Sequence, residues 1–214
     1  MEINGARRGA RFLIGSPQAM HAAVLAGFGP DAAGRPLWRV DRHGHDIALY
    51  ILSAHEPDLT HLVEQAGWPT TRTWRTRDYS DVLDSLSNGQ EYGFRLTANP
   101  TRSVRLREGE RSQRVGHVTV AQQTSWLLDR AERLGLGLGT AEQPRFGVVH
   151  REVKKFRRQG STVTLSTATF EGTVRIVDAV AARAAITQGV GPAKGYGCGL
   201  LTLAPLARTD RAPG

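Results

Sequence analysis

The stretch FGVVHREVKKFRRQGSTVTLSTATFEGTVRIV, residues 146–177, decides the fold. Residues 146–158 and 161–177 are rich in β-branched and aromatic side chains, which predicts two long strands. Gln159-Gly160 separates them, and a short connection with glycine in it is typical of a hairpin turn. The stretch therefore predicts a long antiparallel hairpin in the second half of the chain.

The segments on either side of this hairpin complete one structural unit. A strand is predicted over 91–98 (EYGFRLTA) and a threonine-capped helix over 119–134. After the hairpin, Asp178 caps a helix that ends at Gly189, and a last strand covers 199–206. The order strand, helix, two strands, helix, strand is the βαββαβ order of a ferredoxin-like domain.

Residues 101–118 lie inside this unit, between the first strand and the first helix. They are polar and basic, with five arginines, and we predict a mobile loop. The arginines are Arg102, Arg105, Arg107, Arg111 and Arg114.

The first half of the chain repeats the same order less clearly. Strands are predicted over 36–40 and 46–53, and a short helix follows, while 79–86 fits either a strand or a helical turn. Asn88-Gly89 is a turn signal. The sequence thus predicts an α+β fold of two tandem ferredoxin-like, RRM-like domains. Their predicted bounds are 1–88 and 89–214, with the basic hairpin in the second.

The helix predicted over SPQAMHAAVLAGF, residues 16–28, carries a candidate catalytic side chain. Ser16 can cap the helix, and apolar residues at spacing four predict a buried stripe. Gln18 and His21 are three residues apart, so they project from the same face. Histidine suits proton transfer near neutral pH, although a lone histidine on such a helix is more often structural.

Charge and composition narrow the class of partner. Lys and Arg total 28 against 20 acidic residues, for a net charge of +8 and a pI near 10.5. This surplus favours a polyanion, with nucleic acid ahead of a membrane surface; an arginine-rich protein without such a partner is the alternative. Cys198 is the single cysteine, which excludes an internal disulfide. No apolar run is long enough to span a membrane and no signal peptide is recognisable, so we expect a cytoplasmic protein.

The hairpin tip concentrates positive charge. We call residues 151–158 the basic ribbon; such a ribbon can lie against RNA phosphates, and a merely solvated tip is the alternative. Phe156 interrupts the charges and can either stack on a base or anchor the ribbon. The basic residues of the ribbon are Arg151, Lys154, Lys155, Arg157 and Arg158.

A second candidate binding stretch is GVGPAKGYGCGLL, residues 189–201, which we call the glycine-rich segment. It matches neither a Walker A loop nor a dinucleotide-binding fingerprint. A backbone laid along phosphates fits it best, with Lys194, Gly195 and Gly197 as candidate contacts. A tight helix-to-strand connection is the alternative, and this would need about two of the glycines.

Other chemistry has little support. Four histidines lie close in sequence, but their spacing matches no standard ligand set, so we predict no metal site and no cofactor. No GxSxG motif is present, so a serine hydrolase is not indicated. The histidines are His43, His45, His55 and His61.

Four stretches together resemble the CasE family, the CRISPR repeat-processing endoribonucleases of the type I-E Cascade complex. They occur in the family's order and span nearly the whole chain, and the last is the most specific. The stretches are SPQAMHAAV at 16–24, FRLTANP at 94–100, TFEGTVRIVD at 169–178 and GVGPAKGYGCGLLTLAPL at 189–206.

The resemblance implies two ferredoxin-like domains that bind a repeat RNA hairpin in the crevice between them. It implies metal-independent cleavage at the 3′ base of the stem, by attack of a ribose 2′-OH on the adjacent phosphate. It further implies that the product stays bound and that the partners are the other Cascade subunits. A non-catalytic subunit that binds repeat RNA is the alternative, and a general RNA-recognition protein is a third hypothesis.

The resemblance also assigns roles to residues. His21 occupies the position of the family histidine, as general base or acid. Related sequences often have a tyrosine one turn earlier, where this chain has Gln18, whose amide cannot donate a proton but can hydrogen-bond a phosphate oxygen. Arg7, Arg8 and Arg11 precede the helix and are candidate phosphate contacts.

Overall fold

The computed structural model describes residues 1–30, 32–68, 74–104, 113–158 and 160–206, with the side chain of Arg158 outside the description. Two short 3-10 turns, Glu132–Leu134 and Lys194–Tyr196, supplement the helices and strands. In chain order these are β1 (Glu2–Ile3), α1 (Arg8–Gly15), α2 (Pro17–Leu25), β2 (Leu37–His43), β3 (Asp46–Leu52), α3 (Thr60–Ala66), α4 (Ser80–Ser85), β4 (Glu91–Ala98), β5 (Thr101–Val104), β6 (Gln113–Gly116), α5 (Val120–Leu128), β7 (Leu136–Gly137), β8 (Phe146–Arg158), β9 (Ser161–Ile176), α6 (Ala179–Gln188) and β10 (Leu201–Pro205).

The C-terminal sheet is antiparallel and has the order β10-β4-β9, with β8 and the short β7 both on the far side of β9. This order interleaves strands from the two halves of the unit, which is the split βαβ arrangement predicted from the sequence. The hairpin of β8 and β9 runs from the Phe146–Gly172 pair to the Arg158–Ser161 pair, with one bulge between Val148 and His150. The predicted α+β fold and its long hairpin are confirmed.

Aromatic side chains form the core between this sheet and its helices. Phe170 of β9 is fully buried; its ring stacks on Trp126 of α5 at 6.4 Å between centroids and meets Phe146 edge-on at 5.8 Å. Ile186 of α6 is also fully buried. The Asp178 cap predicted for α6 is confirmed, since its side chain accepts hydrogen bonds from the first amides of the helix.

The N-terminal sheet is antiparallel in the order β1-β3-β2 and packs against α1, α2 and α3. Within the described residues it has three strands, because the ambiguous stretch 79–86 contains helix α4 and not a strand. The N-terminal ferredoxin-like unit therefore lacks, within the described residues, the last strand of its predicted βαββαβ order. The domain boundary between 1–88 and 89–214 stays a prediction.

Helix α1 corrects the prediction for the N-terminus. Arg8 and Arg11, expected ahead of the first helix, lie within α1, whose residues Ala10 and Leu13 face the core. The helix lacks a side-chain cap, and Ser16 alone separates it from α2, which begins at Pro17. The sequence analysis did not predict α1: its apolar and charged residues alternate at helical spacing, but no capping residue marks its start.

Two other predictions need correction. The helix predicted over 119–134 ends at Leu128, because the amide of Arg130 donates to the Leu127 carbonyl at 3.1 Å while its guanidinium takes the Trp126 carbonyl at 2.7 Å. The predicted loop 101–118 is wrong at both flanks, where β5 and β6 pair as a small ribbon. Arg105, Arg107 and Arg111 of that loop lie outside the described residues.

A buried arginine joins the two sheets. The guanidinium of Arg39 on β2 is paired with Asp41 at 2.7 Å, and its Nη1 donates to the carbonyls of Arg95 on β4, at 3.1 Å, and of Leu200, at 2.8 Å. Arg39 is 2% exposed, so its donors are satisfied by protein groups rather than by solvent.

Among the helices of the described chain, none is long and apolar enough to cross a lipid bilayer.

Candidate functional site

Helix α2 presents the candidate histidine. Ser16 Oγ accepts a hydrogen bond from the Ala19 amide at 3.2 Å, and Pro17 occupies the first turn, as predicted. Met20 and Val24 are buried, which fixes the rotation of the helix. His21 is consequently half-buried at the edge of the core.

The glycine-rich segment lies directly against this histidine. A Cβ built on Gly195 would stand 3.3 Å from Nε2 of His21 and 3.5 Å from its Cε1. The missing side chain lets the main chain approach the imidazole closely. Two stretches singled out in the sequence, from opposite ends of the chain, are thus brought together.

Protein packing explains most of the other glycines in the segment. Three of them adopt positive φ and leave no room for a Cβ, which would lie under 3.0 Å from a large side chain. The pairs are Gly189 with Leu37 (2.8 Å), Gly191 with Trp126 (2.9 Å) and Gly197 with Trp38 (2.7 Å). The segment is therefore held rigidly on both halves of the protein, and contact of Gly195 and Gly197 with RNA stays a prediction.

Lys194 places a positive charge next to the histidine site. It directly precedes Gly195 and is half-buried. Loss of hydration lowers the pKa of its ammonium, and the positive charge of nearby Arg35 lowers that pKa further. Sequence reasoning missed Arg35 because an exposed arginine between Gly34 and Pro36 matches no motif.

The basic ribbon has two distinct faces, since side chains alternate along a strand. Arg151, Lys155 and Arg157 share one face and are exposed. Lys154 and Phe156 point to the other face and are half-buried; Lys154 pairs with Glu152 at 3.2 Å. For Arg158 only the backbone, at the end of β8, is described. The first face is therefore the one that can meet a polyanion.

Phe156 anchors the ribbon. Its ring meets that of Tyr196 edge-on, with 5.0 Å between centroids and 66° between planes. Tyr196 belongs to the glycine-rich segment, so the ribbon and the histidine site share a structural neighbour. The sequence left two roles open for Phe156, stacking on a base and anchoring the ribbon, and this contact supports anchoring.

The three arginines near α1 differ in their surroundings. Arg7 Nη1 donates to the carbonyls of Val63 and Gly67 at the end of α3, at 3.2 and 3.1 Å. Arg11 Nη1 donates to the Ala6 carbonyl at 2.6 Å. Arg8 is exposed. All three remain candidate phosphate contacts, with Arg7 also bracing α3.

A cleft of about 570 Å³ separates the two sheets. Its walls carry both signs of charge, from Arg39 and Arg95 to Asp41 and Glu171, and His21 is not among the residues that line it. The histidine site, formed by α2 and the glycine-rich segment, therefore adjoins this cleft, because Met20 of α2 and Tyr196 and Gly197 of the segment also line it.

The clustered histidines do not converge. His61 Nε2 lies 2.8 Å from the Ala23 carbonyl, which ties α3 to α2. Within the described ranges, no three His, Cys, Asp or Glu side chains are grouped as metal ligands would be.

Comparison with known proteins connects these features. A family model described as CRISPR associated protein matches residues 1–205. The chain is 29% identical over 221 residues to the CRISPR-associated endoribonuclease Cse3 of Thermus thermophilus, covering 95% of this chain and 97% of that one. It is 31% identical over 173 residues to the CRISPR system Cascade subunit CasE of Escherichia coli, covering 75% and 82%. The structure of Thermus thermophilus Cse3 bound to an RNA representing a pre-cleavage complex matches with a TM-score of 0.79 and 29% identity, over 95% of this chain and 96% of that one.

Proposed function

Because the chain belongs to the CRISPR-associated protein family of Cse3 and CasE, we propose that it is an endoribonuclease that cleaves the hairpin of CRISPR repeat RNA. The mature RNA stays bound, and the protein is a subunit of a Cascade complex. The family relatives are named for these two properties, as an endoribonuclease and as a Cascade subunit. The cytoplasm, where bacterial repeat RNA is transcribed, is the proposed location.

The contact between His21 and Gly195 carries the proposal for the active site. It joins the histidine helix to the glycine-rich segment, with the ammonium-bearing Lys194 next in the chain. A titratable group near neutral pH and a fixed positive charge are what cleavage of an RNA phosphodiester needs.

The reaction uses the RNA's own 2′-OH as nucleophile. Its oxygen forms a bond to the adjacent phosphorus as its proton is lost to a base, and the bond from phosphorus to the 5′-oxygen breaks as that oxygen gains a proton. The products are a 2′,3′-cyclic phosphate, or the 3′-phosphate after hydrolysis, and a 5′-hydroxyl. His21 acts as the base or as the acid for one of these transfers.

Other groups bind the phosphate. The positive charge of Lys194 stabilises charge that develops on the phosphoryl oxygens. Gln18, one turn before His21, can donate a hydrogen bond from its amide to the same phosphate but cannot transfer a proton. Neither a metal ion nor another cofactor enters the proposed reaction.

The basic ribbon binds the stem of the hairpin. Its exposed face, with Arg151, Lys155 and Arg157, supplies charges for the backbone phosphates, and Arg8 extends the contact on the α1 side. Such contacts fix the register of the RNA on the protein, so that one linkage lies at His21.

A cleavage assay in EDTA tests this function. Wild-type protein, His21→Ala and the exposed control His45→Ala are each mixed with cognate repeat RNA, and cleavage and binding are measured in parallel. We expect cleavage by the wild type and the control, and binding without cleavage by His21→Ala. A requirement for divalent metal, or cleavage that survives His21→Ala unchanged, contradicts the mechanism.

A second candidate function is a non-catalytic subunit that holds repeat RNA. The feature in its favour is Gln18, which lacks the hydroxyl of the tyrosine that the family resemblance leads us to expect one turn before His21. Tight binding by the wild type with no cleavage in either EDTA or magnesium would establish it.

A further inference from the structure

The outer part of the hairpin extends beyond the strands that pair with the rest of its sheet. At its base, Ser166 donates from its amide to Asn99 Oδ1 and from its hydroxyl to the His117 carbonyl. The pairing of β9 with β4 ends at Ala98 and Ala168, so within the described strands residues 161–167 pair only with β8. A two-stranded ribbon is marginally stable by itself, and its orientation is set by whatever side chains dock it. Phe156, near its outer end, provides one such contact through Tyr196.

Tyr196 is well placed to transmit the position of the ribbon. It ends the 3-10 turn Lys194–Tyr196, which is bounded by left-handed residues on both sides, Ala193 at φ 67° and Gly197 at φ 79°. Gly197 is in turn packed on Trp38 of β2. Tyr196 and Gly195 thus belong to one tight turn, so a different position of Tyr196 would change that of its neighbour Gly195.

Gly195 is the residue that lies against the imidazole of His21. A continuous row of contacts thus runs from the charged face of the ribbon through Phe156, Tyr196 and Gly195 to the histidine. The first member touches the RNA stem in the proposed function and the last touches the scissile linkage.

We propose that Tyr196 is a positioning residue: its ring, docked on Phe156, sets the distance between the stem-binding ribbon and His21. This proposal rests on the proposed endoribonuclease function. The proposal assigns the positioning role to the ring, because the contact with Phe156 is between aromatic faces and edges. Misplacement of a catalytic group by a fraction of an ångström lowers the rate without removing binding, which separates positioning from affinity.

The test compares single-turnover cleavage, with protein in excess over repeat RNA, with the Kd for that RNA and with Tm. We expect Tyr196→Ala and Phe156→Ala each to lower the saturated rate by about tenfold or more, with Kd changed by less than about threefold. The double variant should be no slower than the slower single variant, since both remove one contact. Tyr196→Phe keeps the ring and should cleave at the wild-type rate.

Val180→Ala is the control for the loss of an exposed apolar side chain. Val180 lies on α6, 73% exposed and outside both the basic ribbon and the glycine-rich segment, so its truncation should change neither rate nor Kd. Phe156→Leu and Tyr196→Leu replace the alanine variants if those lose more than a few degrees of Tm, and the same rate losses are expected of them.

The possible results distinguish failure of the positioning role from failure of the proposed endoribonuclease function. The positioning role alone is overturned if Tyr196→Ala cleaves at the wild-type rate. It is also overturned if the rate loss of the double variant equals the product of the two single-variant losses. A rate loss explained wholly by a weaker Kd also overturns it. Absence of cleavage by the wild type overturns both.

Discussion

Gly195 lies against the imidazole of His21, so close that a Cβ on this glycine would be 3.3 Å from Nε2. The contact joins helix α2 to the glycine-rich segment and puts main-chain atoms beside a ring that must keep its orientation during proton transfer. The φ angle of Gly195 lies outside the left-handed region, so the backbone accepts alanine there and only the imidazole of His21 must shift.

Gly195→Ala should therefore reduce catalysis while sparing the fold. We expect the saturated single-turnover rate to fall by about tenfold because the added methyl displaces the histidine by a few tenths of an ångström. Unfolding free energy should change by less than about 1 kcal/mol. Gly29→Ala, where a Cβ meets nothing within 4 Å, is the control. An unchanged rate would show that the contact does not orient His21.

Gly197→Ala should instead destabilise the protein. Its φ of 79° disfavours a side chain, and the new Cβ would be 2.7 Å from the ring of Trp38. We expect a loss of about 2–3 kcal/mol in urea unfolding. Gly34→Ala separates the two causes, because Gly34 has φ 89° but open space around a Cβ, and should cost only about 1 kcal/mol. Equal losses in both variants would mean that the Trp38 contact contributes nothing.

Arg39→Met should weaken the joint between the sheets. The substitution removes one of the two arginines that pair with Asp41, the other being Arg95 at 3.3 Å. It also removes the Arg39 hydrogen bonds to the carbonyls of Leu200 and Arg95, of which the Arg95 carbonyl still accepts one from Thr202 Oγ1 at 3.3 Å. We expect unfolding free energy to drop by about 3 kcal/mol. Arg42→Met, at an exposed position on the same strand, should change it by less than about 0.5 kcal/mol. A drop below about 1 kcal/mol for Arg39→Met would show that the halves are held by other contacts.

The exposed face of the basic ribbon should govern the salt dependence of RNA binding. Replacing both Lys155 and Arg157 by Ala should reduce the slope of log K against log salt by about 1.5, since each neutralised phosphate contributes about 0.7–0.9. Arg133→Ala/Arg175→Ala removes the same charge near the opposite end of β9, where no RNA contact is proposed. If the control and ribbon variants have equal slopes, the ribbon does not contact phosphates.

The elements predicted well from sequence have strong local signals. Helix α6 has Asp178 as its cap and Gly189 at its end, and the hairpin has two β-rich runs around Gly160. Helix α1 has apolar residues at helical spacing but lacks such end signals: it has no capping side chain and contains Gly9, whose Cβ position lies 2.3 Å from the Gln65 carbonyl. Its stability comes from packing on α3, and packing between distant residues is not visible in a local pattern.

The candidate site divides in the same way. His21 and the glycine-rich segment could be singled out from residue types and from the family resemblance. Their contact through Gly195 and the docking of Phe156 on Tyr196 could not, since both depend on how the two halves of the chain fold together. Arg35 carries no motif, and only its proximity to Lys194 draws attention to it.

A repeat RNA with one 2′-deoxy nucleotide, immediately 5′ of the scissile phosphate, tests the central claim most directly. Its cleavage by the wild-type protein in EDTA is compared with that of the all-ribose RNA under single-turnover conditions. The account predicts unchanged binding, no cleavage of the deoxy substrate, and a 2′,3′-cyclic phosphate or 3′-phosphate with a 5′-hydroxyl from the ribose substrate. Cleavage of the deoxy RNA at the same linkage would contradict attack by the 2′-OH, and with it the role assigned to His21.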